Sequence, residues 1–244
     1  MKRKIDLFQP KNIKNAAKND DFRVFWAASD AGIEILLYGT VGDDYAEADA
    51  ASISRILQAN RNKPVTMRVN SFGGLAFDGL AIYNALADHP APTRGIIESV
   101  AASAASLAVL GADRVMMQSN AIFHIHEGLA AGMGHIADLR ETIDWLEKFN
   151  AAAVATYAAK TGKSEDELAA ALLGPNGDGT KYTAAEALEM GFIDEILQPR
   201  KTSKTPAKNR VAELAARAKV CAMRYIQLTT GGKVVHNSAV DMSP

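Results

Sequence analysis

The sequence predicts an α/β fold with a mainly parallel sheet and flanking helices. Three observations predict it. Short β-branched and aliphatic runs, such as Val65-Thr66-Met67-Arg68-Val69, alternate with segments of helical spacing, as right-handed crossovers between parallel strands require. Two strand ends run into small-residue turns before a helix, at residues 70–74 and 98–103. The chain has 244 residues, 48% hydrophobic and 23% charged, enough for one large domain with its own core.

In chain order, residues 1–20 are rich in Lys and Asn, lack periodicity and are expected to form a mobile arm. Residues 22–27 and 33–38 read as strands of a hairpin around Asp30-Ala31-Gly32. Residues 47–59 carry Ile53, Ile56 and Leu57 at the spacing of one helix face. A strand over 65–69 leads through Asn70-Ser71-Phe72-Gly73-Gly74 into a helix over 76–87. A strand over 94–97 follows, and the run Ala101-Ala102-Ser103-Ala104-Ala105-Ser106 turns it into a buried helix. Residues 113–117 and 121–125 read as short strands. A long helix is expected over 135–160, with Ile136, Leu139, Ile143, Leu146 and Phe149 at spacings of three and four. Ser164, with Glu167 three residues on, has the pattern of a capping box and opens the next helix. A last helix over 183–190 and a strand over 192–197 complete a domain of residues 21–198. No internal repeat is present.

Pro199 begins a different composition. Arg200, Lys201, Lys204, Lys208 and Arg210 stand among Ser, Thr and Pro, which reads as a basic linker. A helix over about 207–225 and a disordered polar tail are the expected continuation to residue 244. Formal net charge is −1, so nothing global points to nucleic acid. Cys221 is the only cysteine, which excludes an intramolecular disulfide and argues against a Cys-based metal site. No apolar run follows Met1-Lys2-Arg3-Lys4, and the apolar run over 100–112 is shorter than the roughly 20 residues that span a bilayer. The expected setting is cytoplasmic, without a membrane partner.

Three loops carry residues suited to chemistry. Ser103 stands where a strand turns into a helix, so its hydroxyl is exposed beside unpaired backbone N–H groups. An Ala/Ser-rich helix is also a common packing element, and serine a common N-cap. Gly73 and Gly74 allow positive φ and close backbone approach, as an ordinary turn or as an anion cradle with the Gly74 N–H aimed at a developing oxyanion. His124 and His126 alternate along a strand and share one face. The pair could form half of a metal site, or supply a general base with a pKa near ~6.5. His126, at the strand's end, is the better placed. Gly174-Pro175-Asn176-Gly177-Asp178-Gly179-Thr180 is a turn containing one acid, Asp178, of the type that orients a catalytic histidine.

In order and spacing, four segments resemble the Clp protease proteolytic subunit family, and most closely its phage or prophage head-maturation branch. They are Asn70-Ser71-Phe72-Gly73-Gly74, Ala101-Ala102-Ser103, Ala121-Ile122-Phe123-His124-Ile125-His126, and Tyr182-Thr183-Ala184-Ala185-Glu186-Ala187 through Gly191-Phe192-Ile193-Asp194. The resemblance spans about residues 35–197. It implies a crotonase-like (ClpP-like) fold with a protruding long helix, and an ATP-independent serine endopeptidase without a cofactor or metal. It carries the nucleophile onto Ser103, the general base onto His126 and the oxyanion donors onto the N–H groups of Gly74 and Ala104. Phe72 and Gly73 would line the substrate strand; Phe72 stands where the family usually has proline. Counting back from Tyr182, the family's acid falls on Gly179, one residue after Asp178. The resemblance also implies a homo-oligomeric ring, heptameric in the family, and a scaffold or capsid precursor as substrate. An unfoldase partner is left open.

Three other readings compete. A crotonase-fold enzyme of acyl-CoA thioesters would use a carboxylate where this chain aligns Ser103 and His126. A serine–lysine dyad needs a lysine near Ser103, which the sequence does not identify. A non-catalytic shell or scaffold-binding protein would keep the fold without the chemistry.

Overall fold

The computed structural model describes residues 25–29, 32–42 and 49–198. The arm over 1–20, the hairpin residues Asp30 and Ala31, and the linker and tail over 199–244 lie outside the described residues. Strands β1 (Phe25–Ser29) and β2 (Gly32–Val41) pair antiparallel, as expected of a hairpin. Helix α1 (Ala50–Ala59) starts three residues later than its periodicity suggests, because the Asp49 side chain caps it by accepting from the Ser52 N–H at 2.8 Å.

Strand β3 (Val65–Gly74) pairs parallel with β2. It runs five residues past the predicted end: after a bulge, Thr40 and Val41 still pair with Gly73 and Gly74. Helix α2 (Ala76–Ala87) has the predicted bounds. Strand β4 (Thr93–Ala102) is likewise longer than predicted, since pairing with another strand holds its Ala-rich end extended. Helix α3 (Ala104–Val109) follows at once, and all six of its residues are buried.

The division of β4 builds the site. Its first half pairs parallel with β5 (Arg114–Gln118), from Arg94 to Ile97. Its second half pairs parallel with β6 (Ile122–Ile125), so that Ala102 stands opposite His124. The main sheet runs β1-β2-β3-β4-β5-β8, with β8 being Glu195–Leu197. Strand β6 leaves that path and pairs antiparallel with β7 (Thr180–Thr183), a strand that the glycine-rich approach conceals in the sequence.

The long helix α4 (Ile136–Thr161) ends at Gly162 in the left-handed conformation, φ 70°. Its second half buries Phe149, Ala153, Val154 and Tyr157 in the core. Its first half does not: Ile136, Leu139 and Ile143 are solvent-exposed. Ser164 caps α5 (Glu165–Leu173) by accepting from the Glu167 N–H, while the Glu167 carboxylate pairs with Lys163 rather than closing the predicted box. A complete capping box, Thr183 with Glu186, opens α6 (Ala184–Glu189). Helices α1, α2 and α3 cover one face of the sheet through Ile53, Ile56, Ile82, Leu86 and Leu107. On the partly exposed side chains of β2, β3 and β4, Arg68 bridges Glu34 and Glu98 at 2.7 Å each, and Tyr38 donates to Glu98. Among the described residues no helix is long and apolar enough to cross a membrane.

Candidate active site

Ser103 is the one residue between β4 and α3, and its backbone is at φ 54°, ψ −129°. Among the described residues it is the only non-glycine with positive φ. An L-residue there is strained, and such strain persists only where surrounding bonds hold it. The bonds are visible on both sides. The Ser103 N–H donates to the His124 carbonyl at 3.0 Å, which ties the turn to β6. The Ser103 carbonyl accepts from the N–H of Ser106 at 2.9 Å and of Leu107 at 3.3 Å.

The end of β3 lies against this turn. Gly73 has φ 98°, and a Cβ built on it would stand 2.6 Å from the Ser103 Cβ and 3.0 Å from the Ala104 nitrogen. Only glycine permits that approach. The Gly73 N–H donates to Ser71 Oγ at 3.0 Å, and Ser71 Oγ donates to the Gly39 carbonyl at 2.6 Å. Gly74 follows, with its Cα packed against the Val41 backbone. From the other side Gly79 of α2 contacts Ala104, where a Cβ would stand 2.5 Å from the Ala104 oxygen. Ala104 is buried, and Phe72 is 82% exposed beside Gly73.

His126 is one residue beyond β6 and half-buried. The rings of His124 and His126 stand 5.3 Å apart at 43°. His126 Nδ1 meets the Glu127 carbonyl at 2.5 Å, an acceptor that keeps the proton on Nδ1 and leaves Nε2 free to accept. His124 Nε2 donates to the Asp178 carbonyl at 2.9 Å. Burial holds the His124 pKa below the ordinary histidine value, opposed by that bond.

The acid loop is arranged differently from what an acid–histidine pair would need. The Asp178 carboxylate accepts from Lys181 Nζ at 2.9 Å, and that bond holds its pKa below the usual carboxylate range. The residue against His126 is Gly179: at φ 79°, a Cβ there would stand 2.5 Å from the His126 Cβ and run into the Ile125 carbonyl. Backbone therefore fills the space beside His126. Lys181 stands opposite His124 in the β6–β7 pair, three residues from Asp178, and that spacing is the one signal of it in the sequence. Two more groups stand behind Ser103, the buried hydroxyls of Ser106 and Tyr157, and no sequence motif joins them. Among the described residues no group of three or more His, Cys, Asp or Glu could hold a metal ion.

Comparison with known proteins gives a consistent result. The family model described as Clp protease matches residues 23–200. The ATP-dependent Clp protease proteolytic subunit 1 of Rhodococcus jostii (strain RHA1) is 31% identical over 174 residues, covering 69% of this chain and 77% of that protein. In fold, the chain is similar to a solved ClpP1 mutant from Listeria monocytogenes. The TM-score is 0.58 at 19% identity, over 68% of this chain and 92% of that one.

Proposed function

Because the chain belongs to the Clp protease family, a family of serine-type peptidases, we propose that it is a serine endopeptidase that works through an acyl-enzyme, with Ser103 as nucleophile and His126 as general base. The observation that carries this reading is the strained backbone of Ser103 with Gly73 packed against it. A strained strand-to-helix turn that exposes a serine is a recurrent way to present a nucleophile.

In this mechanism Ser103 Oγ attacks the peptide carbonyl while its proton passes to His126 Nε2. The N–H groups of Gly74 and Ala104 stabilise the negative oxygen of the tetrahedral intermediate. Collapse breaks the C–N bond, and His126 gives its proton to the leaving amine. Water, deprotonated by His126, then attacks the ester and releases Ser103. The cycle consumes only water, so the peptidase step needs neither ATP nor a cofactor. Phe72 and Gly73, at the end of β3, contact the substrate backbone.

The assembly in this reading is a homo-oligomeric ring, as in the family. The exposed Ile136, Leu139 and Ile143 on α4 support it, since the described residues leave that apolar row uncovered. The substrate we propose is a scaffold or capsid precursor of a phage head, supported by the resemblance of the four ordered segments to that branch. The test is cleavage of such a precursor by purified full-length protein without ATP. Wild type should process it, and Ser103→Ala should assemble normally and leave it intact. Cleavage of other unfolded proteins but not of this class would remove the phage assignment alone.

One observation favours a second reading. The acceptor on His126 Nδ1 is a backbone carbonyl, and Asp178 is engaged by Lys181. A non-catalytic shell would tolerate that arrangement. Assembly with no serine reactivity in any oligomeric state would favour it.

A further inference from the structure

We infer that Tyr157 and Ser106 are positioning residues that aim the Ala104 N–H, an inference that rests on the proposed role of Ser103. Ser106 Oγ lies 2.6 Å from the Ser103 carbonyl oxygen and 2.8 Å from the Tyr157 hydroxyl. Ser106 and Tyr157 are both almost completely buried. The direction of the chain follows from proton counting. A carbonyl can only accept, so the single hydroxyl proton of Ser106 goes to the Ser103 oxygen. Ser106 then has only lone pairs for Tyr157, so Tyr157 is the donor. Burial raises the Tyr157 pKa well above the ordinary tyrosine value, which keeps that proton in place.

This chain of hydroxyls acts on the peptide that joins Ser103 to Ala104. The peptide is trans and planar, so its C=O and N–H point in opposite directions. The carbonyl is held inward by three donors: the N–H groups of Ser106 and Leu107, and Ser106 Oγ. The Ala104 N–H is therefore turned outward, to the side where Gly73 packs closely against Ala104 N. The two backbone donors belong to the helix and would remain in any sequence. The third is specific to this chain and reaches the core of α4, where the Tyr157 ring stands edge-on to Phe192 at 5.8 Å. The long helix thus fixes the tilt of one oxyanion donor through two hydroxyls.

The test uses full-length protein and a fluorophosphonate probe, whose phosphonyl oxygen occupies the same oxyanion position. Labelling rate is resolved into the maximal rate and the half-saturating concentration, alongside Tm. Wild type should be labelled at Ser103. Tyr157→Phe and Ser106→Ala should each lower the maximal rate by about tenfold to a hundredfold at unchanged half-saturation, since misaligning a donor affects the transition state and not encounter. The double variant should be no slower than Ser106→Ala, because both residues act on one chain. It should also be more stable than Ser106→Ala, which strands the tyrosine hydroxyl in the core. Stability and rate thus separate. Wild-type rates in both single variants, or a rate that recovers together with Tm in the double variant, would overturn the inference while leaving Ser103 as nucleophile. An unlabelled wild type would overturn the reading beneath it.

Discussion

Gly73 and Ser103 meet without side-chain room between them: a Cβ on Gly73 would come within 2.6 Å of the Ser103 Cβ. The contact joins the end of β3 to the β4–α3 turn and gives the strained serine a rigid wall. Gly73→Ala should therefore damage stability and site together. A methyl group at φ 98° and in steric conflict destabilises by about 2–4 kcal/mol, so Tm should fall by at least about 5 °C. Serine labelling at a temperature where the variant remains folded should drop at least about tenfold. Equal Tm and equal labelling would mean that the two segments do not meet in this way.

The carboxylate of Asp178 faces Lys181, so Asp178→Asn should leave kcat/KM within about threefold of wild type, far from the loss seen when a triad acid is replaced. A loss of a thousandfold or more, measured on any peptide the wild type cleaves, would mean that the carboxylate turns to His126 during catalysis.

Gly179→Asp puts the acid at the position that the family resemblance implies, yet it should not improve activity. The left-handed backbone and the Ile125 carbonyl oppose any side chain there. The expected outcome is a lower Tm with no gain in rate, and a gain in rate would show that the loop can rearrange to admit a carboxylate.

Stability should also depend on pH through His124. Its pKa is lowered in the folded state by burial, so the unfolded chain binds the extra proton more readily. The contribution is fully present above the ordinary histidine pKa and is lost as pH falls through the folded one. Tm should thus decline from neutral pH into the acid range, and His124→Gln, which keeps an N–H donor for the Asp178 carbonyl, should flatten that decline. An unchanged slope would assign the dependence to other groups.

Much of this architecture is legible in the sequence because local chemistry and tertiary structure agree. The aliphatic run at Val65 forms a strand, α2 begins and ends where expected, and Ser103 stands at the strand-to-helix turn. The misses share a cause. Residues 98–102 have the composition of a helix start but are held extended by β6, and residues 180–183 become a strand only beside that same β6. Partners distant in sequence decide these cases, and propensity does not report them. The site divides in the same way. Ser103, Gly73 and the two histidines are visible as motifs, whereas the turn of Asp178 toward Lys181 depends on side-chain direction. The bond between Ser106 and Tyr157 joins residues 51 positions apart, and nothing in either neighbourhood announces it.

The apolar row on α4 carries its own expectation. Ile136 is 70% exposed and Ile143 54% exposed, seven residues apart on one helix. In a ring assembled through this row, Ile143→Asp should give smaller species than wild type in light scattering while the far-ultraviolet dichroism of the chain is retained. An unchanged mass would place the contacts between copies elsewhere.

The most direct test of Ser103 as the nucleophile is labelling of the full-length protein with a fluorophosphonate probe, followed by mass spectrometry of the modified peptide, with Ser103→Ala and His126→Ala as controls. A single modification at Ser103 is expected, absent in Ser103→Ala and slowed at least about a thousandfold in His126→Ala. No modification in the wild type, modification of another serine, or labelling at the wild-type rate in His126→Ala would contradict it.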